Sequence, residues 1–139
     1  MKILIDTSIW SLALRRNETE LSGNDLNYLN ELKELMSESR AVLIGPIRQE
    51  ILSGITREDQ FNLLKTKLSS FQDYPILAND YEMAAYFFNL CRKKGIQGSH
   101  IDFLICAVSS NNDFPIFTLD NDFFQYIKYC NFSLHKTRF

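Results

Sequence analysis

Short apolar runs that end in polar or acidic residues, alternating with helical stripes, restrict this fold more than any other feature of the sequence. Ile3-Leu4-Ile5 reads as a buried strand. It exits into Asp6-Thr7-Ser8, side chains suited to a cap or turn before Ile9, Trp10, Leu12 and Leu14 at helical spacing. After a polar loop over 17–24, Asp25 is expected to cap a helix striped by Leu26, Leu29, Leu32 and Met36. Ala41 to Ile44 is a second strand. Pro46 then suits the first turn of a helix carrying Ile47, Glu50 and Ile51, which Gly54 would end. Thr56 and Asp59 resemble a capping box for a helix striped by Phe61, Leu64 and Leu68, and Tyr74 to Leu77 offers a short third strand. Asn79 is expected to cap a long helix with Ala84, Phe87, Phe88 and Cys91 inward. Arg92-Lys93-Lys94 close it against its dipole, and Gly95 ends it.

The second half repeats the alternation. Ser99 and Asp102 form a capping-box-like pair ahead of Leu104, Ile105 and Val108, so Asp102 belongs to a first helical turn. Pro115-Ile116-Phe117-Thr118 reads as a buried strand that delivers Asp120, with Asp122 and Phe123 opening another helix and Phe132 to His135 offering an edge strand. Strands alternating with helices predict an α/β fold with a mostly parallel sheet flanked by helices. No linker, repeat or low-complexity stretch divides the chain, and one domain over 1–139 is expected.

Composition narrows the function classes. The sequence has 45% hydrophobic, 23% charged and 13% aromatic residues over 139 positions, enough to fill one core without staples. A net charge of -2 gives no global basic field, so any nucleic-acid contact must rest on a local patch. Three cysteines, Cys91, Cys106 and Cys130, are odd in number and form no CxxC pair, which argues against a disulfide framework or a zinc site. Met1-Lys2 is followed by only three apolar residues before Asp6, and no apolar run approaches membrane-spanning length, so a cytoplasmic protein is expected.

Asp6, Glu50, Asp102 and the Asp120/Asp122 pair each fall at a strand exit or in a neighbouring helix. In an open parallel sheet that is the crevice where ligands bind. Carboxylates gathered there repel one another unless a hard divalent cation lies between them. Each acid alone has a plainer explanation: a helix cap for Asp102, a turn for Asp6, a solvated helix face for Glu50, an Asx turn for Asp120 and Asp122. Their joint placement is what points to function.

Ile5-Asp6-Thr7-Ser8, Gln49-Glu50-Ile51-Leu52-Ser53-Gly54, Asp102-Phe103-Leu104-Ile105-Cys106-Ala107 and Thr118-Leu119-Asp120-Asn121-Asp122-Phe123 stand in order along nearly the whole chain. Together they resemble the four successive motifs of PIN-domain ribonucleases, most closely of the VapC toxin type. The resemblance implies a three-layer α/β fold, a Mg²⁺ or Mn²⁺ site, cleavage of RNA, restraint by a cognate VapB-like antitoxin, and homodimerisation. Two departures stand out. Residues 22–40 make a full helix with a long entry loop in a region that varies in the family. Cys106 replaces a small alanine-like residue, a change that a free cysteine tolerates as a small hydrophobe.

Phosphodiester hydrolysis needs an activated water, neutralised phosphoryl oxygens and help for the leaving oxygen. Metal ions on carboxylates supply all three. Asp6 is expected to be the central ligand because a strand exit fixes it, with Asp102 and Asp120 completing the set and Asp120 ranked ahead of Asp122. Glu50 would bind through water or orient the nucleophile, while Ser8 and Thr118 would hold the carboxylates or the scissile phosphate. Arg15-Arg16, Arg48, Arg92 to Lys94 and Lys136 to Arg138 are candidate phosphate contacts, and Trp10, Tyr28 and Phe139 are candidate stacking residues. His100 and His135 are too scattered for a zinc or histidine nuclease site.

A dehalogenase-type phosphatase would want an Asp where Ser8 stands, and a phospho-receiver domain lacks its acidic pair and partner Lys here. The rival that survives is a catalytically silent PIN-like module that binds protein or RNA, and retention of all the acids argues against it.

Overall fold

The computed structural model describes residues 1–15 and 18–139, so Arg16 and Asn17, named above for the basic rim and the entry loop, lie outside the described residues. Three parallel strands form the sheet: β1 (Ile3–Ile5), β2 (Ala41–Val42) and β3 (Ile116–Phe117), in the order β2-β1-β3. Ile3 pairs with Ala41 and Leu4 with Val42 on one side, and Leu4 pairs with Ile116 and Ile5 with Phe117 on the other. Central β1 is wholly buried, as a strand covered on both faces must be.

Seven α-helices among the described residues flank the sheet: α1 (Thr7–Leu14), α2 (Gly23–Ser37), α3 (Gly45–Leu52), α4 (Glu58–Leu68), α5 (Ala78–Lys93), α6 (His100–Asn112) and α7 (Phe123–Tyr126). Helix α1 packs on α2 and α3, α3 packs on α4, and α5 pairs with α6 in the most extensive helix contact. The α/β architecture with a parallel sheet is the one expected. Helix α6 is apolar nearly all round, with Phe103 to Ser109 buried in sequence, because it lies between α5 and the sheet. Trp10 is 1% exposed and donates its indole N–H to the Ile5 carbonyl at 3.1 Å, so it is core and not a stacking platform.

Several local expectations are corrected. Helix α2 is capped by Ser22, whose hydroxyl accepts from the Asp25 N–H at 3.1 Å, so Asp25 sits inside the first turn. On the same helix Leu26 and Met36 are exposed, while Leu29, Leu32, Leu35 and a charged residue, Glu31, point inward. The stripe is rotated because Glu31 finds Arg138 and His135 waiting for it. Thr56 and Asp59 form no capping box; Arg57 is the N-cap of α4, without a side-chain cap. Helix α5 begins after Leu77 and not at Asn79, because the Asp80 carboxylate reaches back to accept the Leu77 N–H at 2.9 Å. Phe88, expected inward, is half-buried.

Residues 74–77 are not a strand. The only pairing there is a bridge of Asp73 to Leu43, and Pro75, with no N–H to donate, stops it from spreading. The expected edge strand at 132–135 likewise shrinks to one bridge, Leu134 to Ile116. Gly54 and Gly95 do end their helices, at φ +87° and +75°, backbone that favours glycine.

Candidate metal centre

Strand β1 delivers Asp6 to the C-terminal edge of the sheet, where its N–H still donates to the Phe117 carbonyl of β3 at 2.9 Å. Asp6 is 6% exposed, and its carboxylate does not cap α1. Instead its Oδ2 accepts from Ser8 Oγ at 2.8 Å and from Thr118 Oγ1 at 2.7 Å. Each hydroxyl is used twice: Ser8 Oγ accepts from the Leu119 N–H and Thr118 Oγ1 from the Asp120 N–H, both at 2.9 Å. The exits of β1 and β3 are thereby sewn together around one oxygen of Asp6.

Asp102 enters from the first turn of α6, with its N–H held by the Ser99 hydroxyl at 3.0 Å. Tyr126 of α7 donates its hydroxyl to Asp102 Oδ2 at 2.7 Å. Asp120 Oδ1 accepts the Asp122 N–H at 2.9 Å, an Asx turn that carries the chain into α7. The turn reading of Asp120 is thus correct locally. It does not exhaust the pair, since Asp102, Asp120 and Asp122 each offer a carboxylate oxygen and the three lie within 4.8 Å of one another.

Glu50 approaches from α3, half-buried, its Oε1 accepting from Thr7 Oγ1 at 2.7 Å. Burial is the main force pushing its carboxyl above the ordinary range. Thr7 pulls it back in part, and the charges of Asp6, Asp102 and Asp120 push it further up. Asp102 is raised for the same reasons: burial first, then repulsion from Asp120 and Asp6, against the lowering bonds from Tyr126 and Ser99. The charges of the neighbouring acids thus oppose the ionisation of Glu50 and of Asp102.

The structure therefore gathers Asp102, Asp120 and Asp122 into one ligand-sized group, with Asp6 and Glu50 near enough to be felt by it. Ser8 and Thr118 lie against Asp6. Sequence reasoning ranked Asp122 behind Asp120 and missed Thr7 as the partner of Glu50 and Tyr126 as the partner of Asp102.

The basic candidates separate. Arg48 is bound to Asp73 and to the carbonyls of Leu68 and Phe71, and Arg138 clamps Glu31 and Glu38, so both brace the fold. Arg92 stands over the Phe88 ring and Lys94 over Tyr129. Arg15 is exposed at the end of α1, beside a groove of about 480 Å³ between α1 and α4 that Lys67 also lines.

An all-oxygen donor set of this size, with Asp102 raised first by burial and then by its acidic neighbours, fits a hard divalent cation, whose charge would relieve the repulsion. Among solved structures, FitAcB from Neisseria gonorrhoeae is similar at 19% identity with a TM-score of 0.74, covering 96% of this chain and 96% of that one. VapBC2 from Rickettsia felis, bound to a DNA fragment from their promoter, is similar at 16% identity with a TM-score of 0.70, covering 97% and 98%. At such identities the likeness speaks for the fold. Comparison with curated proteins gives no sequence match. The PIN domain family, however, matches residues 3–128, and with that span the chain belongs to the PIN domain family.

Proposed function

We propose that this chain is a Mg²⁺- or Mn²⁺-dependent endoribonuclease, the toxin of a type II toxin–antitoxin module. The observation that carries the reading is the convergence of Asp102, Asp120 and Asp122 within 4.8 Å beside Asp6, in a chain of the PIN domain family. Asp6, Asp102 and Asp120 would hold the cation, with Asp122 within reach of the same position. When bound, the cation supplies charge neutralisation at the phosphate and lowers the pKa of a coordinated water.

The remaining work falls to the protein. Ser8 and Thr118 fix the Asp6 carboxylate on one oxygen, so its direction is set before substrate arrives. Glu50, half-buried and raised, is suited to take a proton from the attacking water and release it afterwards. Exposed Arg15 and Lys67 offer phosphate contacts beside the α1–α4 groove. The likeness to VapBC2 supports a VapB-like antitoxin as partner, and the homodimer remains part of the same proposal. No helix of the described residues is long and apolar enough to cross a membrane, and we place the activity in the cytoplasm.

The test incubates purified chain and its Asp102→Asn variant with total RNA, with Mg²⁺, Mn²⁺ or chelator, and maps the fragments at base resolution. Defined cuts that need both metal and Asp102 are expected. Intact RNA under every condition, from a folded wild-type chain, would return the reading to a silent binding module.

A further inference from the structure

We infer that Tyr126 is a positioning residue for Asp102, and that Gly98 is kept free of a side chain so that the Tyr126 hydroxyl can reach that carboxylate. The inference rests on the metal-site reading above. Tyr126 is 0% exposed, yet its one polar atom is not idle: it donates to Asp102 Oδ2 at 2.7 Å. A buried tyrosine usually satisfies its hydroxyl on a nearby carbonyl or water, so a partner among the grouped acids is specific.

The ring is fixed from three sides. Phe103 lies against it at 4.9 Å between centroids and Phe123 at 5.3 Å, edge to face. The third side is backbone. A Cβ built on Gly98 would lie 2.6 Å from the Tyr126 hydroxyl oxygen, 2.9 Å from its Cε1 and 2.8 Å from Phe103 Cε2. All three distances are shorter than real Cβ contacts, so any side chain at 98 must displace the ring that carries the donor. Gly98 has no left-handed backbone to explain it, so space is its reason for being glycine.

The geometry has a mechanical consequence. Tyr126 is the last residue of α7, the helix that Asp120 and Asp122 lead into. Asp102 belongs to α6. The hydroxyl is therefore a strut between the two elements that supply the three-acid group, and it sets which way the Asp102 carboxylate turns. Partners of this kind typically change metal affinity by about 10- to 100-fold when removed.

The experiment titrates Mn²⁺ alone into wild-type chain, Tyr126→Phe, Gly98→Ala and the double variant, by calorimetry and by the electron paramagnetic resonance of free Mn²⁺, with thermal midpoints recorded alongside. Tyr126→Phe keeps the ring, so the folded chain is expected to bind Mn²⁺ about tenfold or more weakly. Gly98→Ala should weaken binding similarly, and the double variant should lose little beyond either single change, because both act through one hydroxyl. A merely structural Tyr126 would move the thermal midpoint and leave Mn²⁺ affinity alone. Wild-type affinity in Tyr126→Phe, or additive losses in the double variant, overturns the inference while leaving the metal site standing. Absence of Mn²⁺ binding by the wild-type chain overturns the metal-site reading and this inference with it.

Discussion

Thr118 Oγ1 lies 2.7 Å from Asp6 Oδ2 although 112 positions separate the two residues in sequence. That one bond ties the exit of β1 to the exit of β3 at the place where the acids gather.

Thr118→Val keeps the shape and removes the hydroxyl that orients Asp6 and receives the Asp120 N–H. RNA cleavage is expected to fall roughly 10- to 100-fold, while stability falls by only about 1 kcal/mol. Paired measurements of cleavage rate and thermal midpoint check this. A variant that cuts at the wild-type rate would remove Thr118 from the site's support.

Asp102 and Glu50 make the metal-free chain less stable at neutral pH. Both carboxyls are raised in the folded state, chiefly by burial, so the folded chain holds these protons more tightly than the unfolded one. The destabilisation is absent below the unfolded values near pH 4 and grows as pH rises through the raised folded values. Asp102→Asn should therefore raise the thermal midpoint of metal-free protein at pH 7 by a few degrees, about 3 °C per kcal/mol for a chain of this size, and abolish cleavage. The gain should vanish near pH 4, and Mn²⁺ should stabilise wild type far more than the variant. Scanning calorimetry across pH, with and without Mn²⁺, decides it.

The opposite sign holds at the other end of the molecule. Burial alone would push Glu31 up, but hydrogen bonds from the Arg138 side chain and backbone and from His135, with the Arg138 charge, hold it below the ordinary range. This stability is present above the unfolded pKa and is lost as pH falls through the lowered folded value. Arg138→Ala should lower the thermal midpoint clearly at pH 7 and much less at pH 3. Adding Glu31→Leu should recover part of the loss, since the damage is an uncompensated buried charge. Equal losses at both pH values would show that Arg138 acts by packing alone.

Cys91 and Cys130 lie 3.6 Å apart between sulfurs, and all three cysteines are buried. Burial raises every one of these thiols, Cys130 to about 12, so little reactive thiolate exists at neutral pH. Iodoacetamide at pH 8 should leave the native chain unmodified while labelling the unfolded chain fully, as read by mass spectrometry. Cys106→Ala should cost about 1 kcal/mol and leave cleavage unchanged.

The order of the three paired strands and of the main helices was legible in the sequence, because short continuous apolar runs and stripes of period 3.6 are local signals that Ile3-Leu4-Ile5 or Leu104-Ile105-Val108 carry without help. The sequence also determined Ser99 as a cap, a relation closed within one turn. Where a charged residue met a distant partner, local reading failed. Glu31 took an inward position that the α2 stripe assigned to Leu or Met, because Arg138 from the far end of the chain pairs with its charge and His135 adds a hydrogen bond. Tyr74 to Leu77 carried strand-like side chains, but Pro75 and the lack of a long partner left one bridge.

The acids were named from sequence; their distances were not. Packing of distant elements is what brings Asp122 into ligand range of Asp102 and Asp120, holds Asp6 by two hydroxyls on one oxygen, and stands Tyr126 and Thr7 behind Asp102 and Glu50. Periodicity fixes the face a side chain occupies within its own element. The spacing of carboxylates from β1, α3, α6 and the β3 exit depends on how those elements pack, and no local interaction encodes it.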